Sequence, residues 1–192
     1  MVKKLAATAI VLGVFAMLMS MSALALFTDT ASVPANSFST GTLDISTSPT
    51  SALVTFSNMA PGDEVTAPIT VSNSGSLDLR YAVTSTTGIE AVPSLAAQLD
   101  LTIKSGVTTC TTAGFGASGT VIYGPADLGS PAGINVIGNP VQGAQAGDRT
   151  LAASANEVLC FNVKLPLTTG NTYQGLTSTA TFAFQAEQTK NN

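Results

Sequence analysis

From residue 42 onward apolar and polar side chains alternate with a period of two, the spacing of a strand with one face in a core and one in water. Leu43 and Ile45 alternate with Thr42, Asp44 and Ser46, and Ala52, Val54 and Phe56 with Leu53 and Thr55. Val65, Ala67, Ile69 and Val71 alternate with Thr66, Pro68 and Thr70. The same rhythm runs through Leu77, Leu79, Tyr81 and Val83, through Leu99, Leu101 and Ile103, through Leu159, Phe161, Val163 and Leu165, and through Leu176, Ser178, Ala180, Phe182 and Phe184. Turn-formers punctuate it: Ser48-Pro49, Pro61-Gly62-Asp63, Asn73-Ser74-Gly75 and Thr169-Gly170-Asn171. The pattern predicts an all-β chain, an antiparallel jelly-roll-like β-sandwich with long loops and at most one short helix. That helix is expected over Val92–Gln98, with Pro93 near its start. Pro68 marks its strand as an edge or as bulged there. Residues 111–155, rich in Gly, Ala, Ser and Pro, read as long loops holding one or two short strands, one of them at Thr120-Val121-Ile122-Tyr123. The domain spans residues 38–187, and 188–192 form a frayed tail.

The first residues break this rhythm. Lys3 and Lys4 precede an apolar run from Leu5 to Leu26, and Ala23-Leu24-Ala25 supplies the small-x-small pattern that a signal peptidase cuts. Residues 1–25 therefore read as a signal peptide removed between Ala25 and Leu26. Residues 26–37 remain as a short segment ahead of the domain. A retained membrane anchor is the alternative, since no charge interrupts the chain between Lys4 and Asp29.

Without the signal about 167 residues remain, enough for one domain with a core of its own. That part carries five basic residues against eleven acidic ones, a formal charge of about −6, which disfavours nucleic acid as a partner. Charged residues make up 9% of the chain, so hydroxyls rather than charge solvate its surface and electrostatic protection against self-association is weak. A protein built to assemble has such a surface, and so does an ordinary Thr-rich secreted β-protein. In an exported chain the two cysteines, Cys110 and Cys160, pair most simply as one disulfide.

The supply of reactive groups is thin. The chain has no histidine, which removes Ser-His-Asp triads and the usual zinc peptidase site. Lys104 and Lys164 fall on the wet side of strand patterns, which weakens a Ser-Lys dyad. Asp63 and Glu64 are adjacent acids in a Pro-Gly turn, where acids commonly serve the turn. No cofactor is expected. Calcium is the one ion the scattered acids leave open, without an Asp-x-Asp-x-Asp run to hold it.

Two motifs stand directly behind the apolar run: Phe27-Thr28-Asp29, then Phe38-Ser39-Thr40-Gly41-Thr42-Leu43-Asp44. Phe56-Ser57-Asn58-Met59-Ala60-Pro61-Gly62-Asp63 follows, then Val71-Ser72-Asn73-Ser74-Gly75-Ser76-Leu77. This order resembles the TasA/camelysin family of secreted biofilm-matrix proteins, whose export signal is cut by a SipW-type signal peptidase. The resemblance covers residues 1–80, returns weakly at Tyr173-Gln174-Gly175-Leu176 and Phe182-Ala183-Phe184, and leaves roughly 86–156 unmatched. It implies a jelly-roll subunit of extracellular fibres, polymerising head-to-tail with itself. The N-terminal segment of one mature subunit completes a sheet of the next. Leu26, Phe27, Thr28, Asp29, Thr30, Ala31 and Val33 then form the donor strand, with Pro34 and Asn36 as its hinge. The same stretch could pair with its own domain, or be the stub of a cut signal. Other expected partners are the signal peptidase and further matrix components, in the extracellular matrix or at the cell surface. The competing class is a monomeric adhesive module held at the membrane by an uncut span. A peptidase activity, ascribed to some camelysin relatives, does not carry over without a zinc motif.

Overall fold

A computed structural model describes residues 2–3, 5, 8–10, 12, 39–50 and 59–190. The chain divides into two units, Met1–Ser39 and Thr40–Asn192. In the first, the described residues at 2–12 are helical. Among the described residues no helix is long and apolar enough to cross a membrane. The signal cleavage positions Ala23, Ala25 and Leu26, the donor segment from Leu26 to Val33, Phe38 and the expected strand at Ala52–Phe56 lie outside the described residues.

The second unit is a sandwich of two antiparallel sheets. The first sheet runs β1 (Ile45–Ser48), β2 (Glu64–Asn73), β8 (Asn156–Lys164), β4 (Asp100–Ser105), β5 (Thr120–Asp127) in spatial order. In the second, β3 (Leu79–Thr87) is central. β9 (Ala180–Gln188) pairs with its whole length, while β6 (Ile134–Ile137) pairs with its later half and β7 (Arg149–Leu151) with its start. The period of two decides which residues meet. Ile69, Val71, Leu101, Ile103, Leu159, Phe161 and Val163 from one sheet face Leu79, Tyr81, Val83, Val136, Ile137 and Leu151 from the other, all of them buried. Each such side chain contributes roughly 1.5–3 kcal/mol by leaving water. Phe161 and Phe182 meet edge to face across the sandwich, with ring centroids 5.0 Å apart.

Several expectations are refined. The helix occupies Leu95–Gln98 (α1), later than expected, because Ser94 and not Pro93 caps it, its hydroxyl accepting from Ala97 N at 3.3 Å. A second helix, Thr112–Ala117 (α2), lies where long loops were expected, and a 3₁₀ turn occupies Asn171–Tyr173, so the chain carries more than one short helix. Its two glycines argue against α2 locally; Thr111 caps it through Gly114 N, and tertiary contacts described below hold it. Leu43 stays exposed, because regular pairing begins at Ile45. β1 reaches along β2 only to Thr70, so Pro68 sits where β8 is the flanking strand among the described residues. β9 extends through Gln188 and Thr189 N donates to Asp78 O, which ties down the start of the expected tail.

Candidate functional site

The family-like motif residues converge at two places. At the first, Gly41, Thr42, Leu43 and Asp44 run alongside Ser74–Leu77. Ser76 N and Leu77 N donate to Thr42 O at 3.0 and 3.2 Å, Ser74 N donates to Asp44 O at 2.9 Å, and Thr42 N donates to Ser76 Oγ at 2.9 Å. A Cβ on Gly75 would overlap Thr42 O and crowd Asp44 N, and one on Gly41 would overlap the Leu77 side chain. Gly75 lets two backbones approach, and Gly41 leaves room for the Leu77 side chain. Asn73 is 1% exposed and sits beneath this junction. Its Nδ2 donates to Leu77 O at 2.8 Å, Ala152 O at 3.0 Å and Leu151 O at 3.2 Å, while Oδ1 accepts from Gly75 N at 3.0 Å. One amide thus ties β2 to its own turn and to the strand entering β8 from the other sheet. The sequence marks Asn73 as a turn-former; its burial is the additional fact, and the alternation that puts Val71 inward also puts Asn73 inward.

At the second place, Pro61-Gly62-Asp63 makes the turn into β2. Gly62 has φ +98°, Asp63 Oδ2 accepts from Ala60 N at 2.8 Å, and Gly62 N donates to Leu165 O at 2.7 Å. Asp63 serves its own turn here. Glu64, one residue on, accepts instead from Asn162 Nδ2 at 3.1 Å.

Two ion pairs lie elsewhere in the sandwich. Tyr81 is buried in the core and its hydroxyl donates to Glu157 Oε1 at 2.6 Å; Arg149 Nε donates to both oxygens of the same carboxylate at 3.0 Å. Burial first, and then the Glu157 carboxylate, push the Tyr81 hydroxyl far above its ordinary value. Glu157 raises Arg149 further, so Tyr81 stays neutral and Arg149 charged across ordinary pH. On the outer face of the second sheet Arg80 pairs with Glu187 at 2.5 Å. They flank a cleft of about 190 Å³ bounded by Asn139, Gln142, Asp148 and Gln185. Its carboxylates are occupied by loop amides: Asp148 accepts from Asn139 N and Gln145 N, Glu187 from Gly143 N.

Cys110 and Cys160 are joined as a disulfide, with Cα atoms 5.6 Å apart. It ties the segment carrying α2 to β8.

Residues 1–101 match the family model for camelysin metallo-endopeptidase. The chain belongs to the camelysin family. No curated protein matches it. The camelysin match contains both convergence points on the β1–β2 side and ends inside β4, before either cysteine. The camelysin description implies a catalytic metal, and the described residues do not fit one. Among them no three His, Cys, Asp or Glu side chains come close enough to hold an ion, and the whole chain lacks histidine. The acids that the motif supplies, Asp44 and Asp63, lie at separate backbone junctions, which also leaves calcium without a gathered ligand set there.

Proposed function

We propose that this protein is an exported structural subunit that builds extracellular fibres by head-to-tail strand donation. It acts without catalysis, cofactor or metal. The observation that carries this reading is the use to which the family's motif residues are put: Gly41, Gly62, Asn73 and Gly75 serve backbone approach, turn geometry and burial, and none presents a reactive group. A second observation supports it. Phe182 and Phe184 turn inward from β9 yet remain half-buried, which leaves apolar surface that an added strand would cover. In this reading a signal peptidase cuts between Ala25 and Leu26, Leu26–Val33 enters the neighbouring subunit, and Pro34 and Asn36 form the hinge. The chain ends its route in the extracellular matrix or at the cell surface, where further matrix components are secondary partners.

The test is electron microscopy of the signal-free protein beside a variant lacking residues 26–33, with the N-terminus sequenced from the same preparations. Filaments from the chain beginning at Leu26 and dispersed, folded particles from the shortened one are expected. Normal filaments without those residues would overturn the donor assignment. The family's description favours a peptidase as the second reading, and hydrolysis of casein that a chelator abolishes would establish it.

A further inference from the structure

The tip of the β4–β5 hairpin, residues 106–119, folds back over the outer face of the first sheet. Thr112 Oγ1 reaches Thr66 Oγ1 on β2 at 3.3 Å, and Cys110 is bonded to Cys160 on β8. Phe115 is buried beneath this strap, and Lys104 of β4 holds it from below. Lys104 Nζ donates to Phe115 O at 2.6 Å and to Ser118 O at 3.5 Å, and lies 4.5 Å from the centre of the Phe115 ring.

The two sulfurs are unequal. Cys160 is 1% exposed, whereas Cys110 is partly exposed on the strap. An attacking thiolate arriving from solvent meets Cys110 first, and the sulfur that leaves is that of Cys160. The setting favours that departure. Lys104 is the cross-strand partner of Cys160. Both alternate with the core residues Ile103, Leu159 and Phe161, so both face outward, and such opposed pairs hold their Cβ atoms about 4.5–5.5 Å apart. No carboxylate among the described residues pairs with Lys104, and residues 106–119 contain no charged side chain. The other charges on that face, Glu64, Asp100, Asp127 and Lys164, share one cross-strand row four residues further along β8, about 13 Å away from Cys160. A positive charge on the cross-strand neighbour favours a thiolate at Cys160, against the burial that disfavours it. The sandwich does not depend on the bond for its pairing, because β8 is laddered to β2 from Asn156 to Lys164 and to β4 from Leu159 to Lys164.

We propose that Cys110–Cys160 is an exchange site through which the protein takes up a low-molecular-weight aliphatic thiol at Cys110. The incoming thiolate attacks Cys110 Sγ. The new S–S bond forms as the Cys110–Cys160 bond breaks, and the electron pair departs on Cys160 Sγ. No outside oxidant is consumed. Cys160 stays beneath the strap beside Lys104 and, by attacking Cys110 in turn, expels the thiol and restores the original bond. The adduct sits on a segment outside the matched family region, and the proposal stands apart from fibre assembly.

The experiment treats the folded, signal-free protein with reduced glutathione, quenches the exchange with acid, labels free thiols with excess N-ethylmaleimide in denaturant, and maps the peptides. Glutathione on Cys110, the alkyl label on Cys160 and an unchanged near-ultraviolet circular dichroism spectrum are expected. Lys104→Gln slows exchange by about threefold or more, because a less acidic thiol is a poorer leaving group, and Lys104→Arg restores it. In a Cys110→Ser background, the pH dependence of Cys160 alkylation shifts upward when Lys104→Gln is added. Glutathione on Cys160, an even split, exchange confined to denaturant concentrations that unfold the sandwich, or an alkylation profile indifferent to Lys104→Gln would each overturn the proposal.

Discussion

Glu90 shows how a single carboxylate can hold a helix start. Its Oε2 accepts from Ala96 N at 2.9 Å and from Ser94 Oγ at 3.1 Å, so it supports the first turn of α1 from outside the helix. Burial alone would raise its pKa, but the Ser178 hydroxyl, the Ala96 amide and Ser94 outweigh burial and hold the carboxyl below the ordinary glutamate range. A depressed folded value means stabilisation that is present above the unfolded value of about 4.3 and lost as pH falls through the lower folded one. Urea unfolding at pH 7 should therefore place Glu90→Gln below the wild type, and the gap should close as the pH drops below 4. A gap that persists at low pH would assign the loss to the changed shape rather than to the charge. Asn73 makes a contrasting case at the same scale. It is uncharged, and its effect rests on four hydrogen bonds at a side chain only 1% exposed, where each unpaired partner left behind costs about 1–3 kcal/mol.

Among the elements, those with many residues in one rhythm were the most legible. β2, β3, β4 and β8 each place alternate apolar residues in the core as the sequence indicates, since a one-residue slip would turn Ile69, Tyr81, Ile103 or Phe161 to water. β6 and β7, four and three residues long, are too short to show a period, and exist because β3 offers its edge in two successive pieces. α2 was hidden for a related reason: its sequence, Thr-Ala-Gly-Phe-Gly-Ala, favours no helix, and what fixes it lies on other strands, at Lys104, Thr66 and Cys160. Of the candidate site, the disulfide was readable because the chain offers two cysteines and export leaves them one another. The packing role of the motif glycines was not readable, because close approach is a property of two segments at once. Gly75 tests it. Gly75→Ala should push the 42–44 segment from its partner and speed amide exchange at Ser74, Ser76 and Leu77 by about tenfold or more, the equivalent of 1.4 kcal/mol of local opening. Protection across β3 and β9 should not change.

At the scale of the whole molecule, the matched family region and the folded unit are not the same object. The match ends at residue 101, within β4. β2 lies inside it but is laddered to β8, and β3 lies inside it but is enclosed by β6, β7 and β9. The recognisable half of the chain thus supplies two central strands whose neighbours, β1 aside, come from the other half. A fragment comprising residues 40–101 should show neither a cooperative melting transition nor protected amides, and a sharp transition from it would show that β2 and β3 can be stabilised locally.

The Arg80–Glu187 pair spans 107 residues of chain, and the β3–β9 ladder around it joins segments equally remote. Such pairing sets a clock. A ribosome adding roughly 5–20 residues each second keeps β3 waiting some five to twenty seconds for its partner, and until β9 emerges the second sheet has one long strand and no neighbour for half its hydrogen bonds. The nascent polypeptide is therefore pliable for as long as it is being made, and closes late, when its final strand arrives.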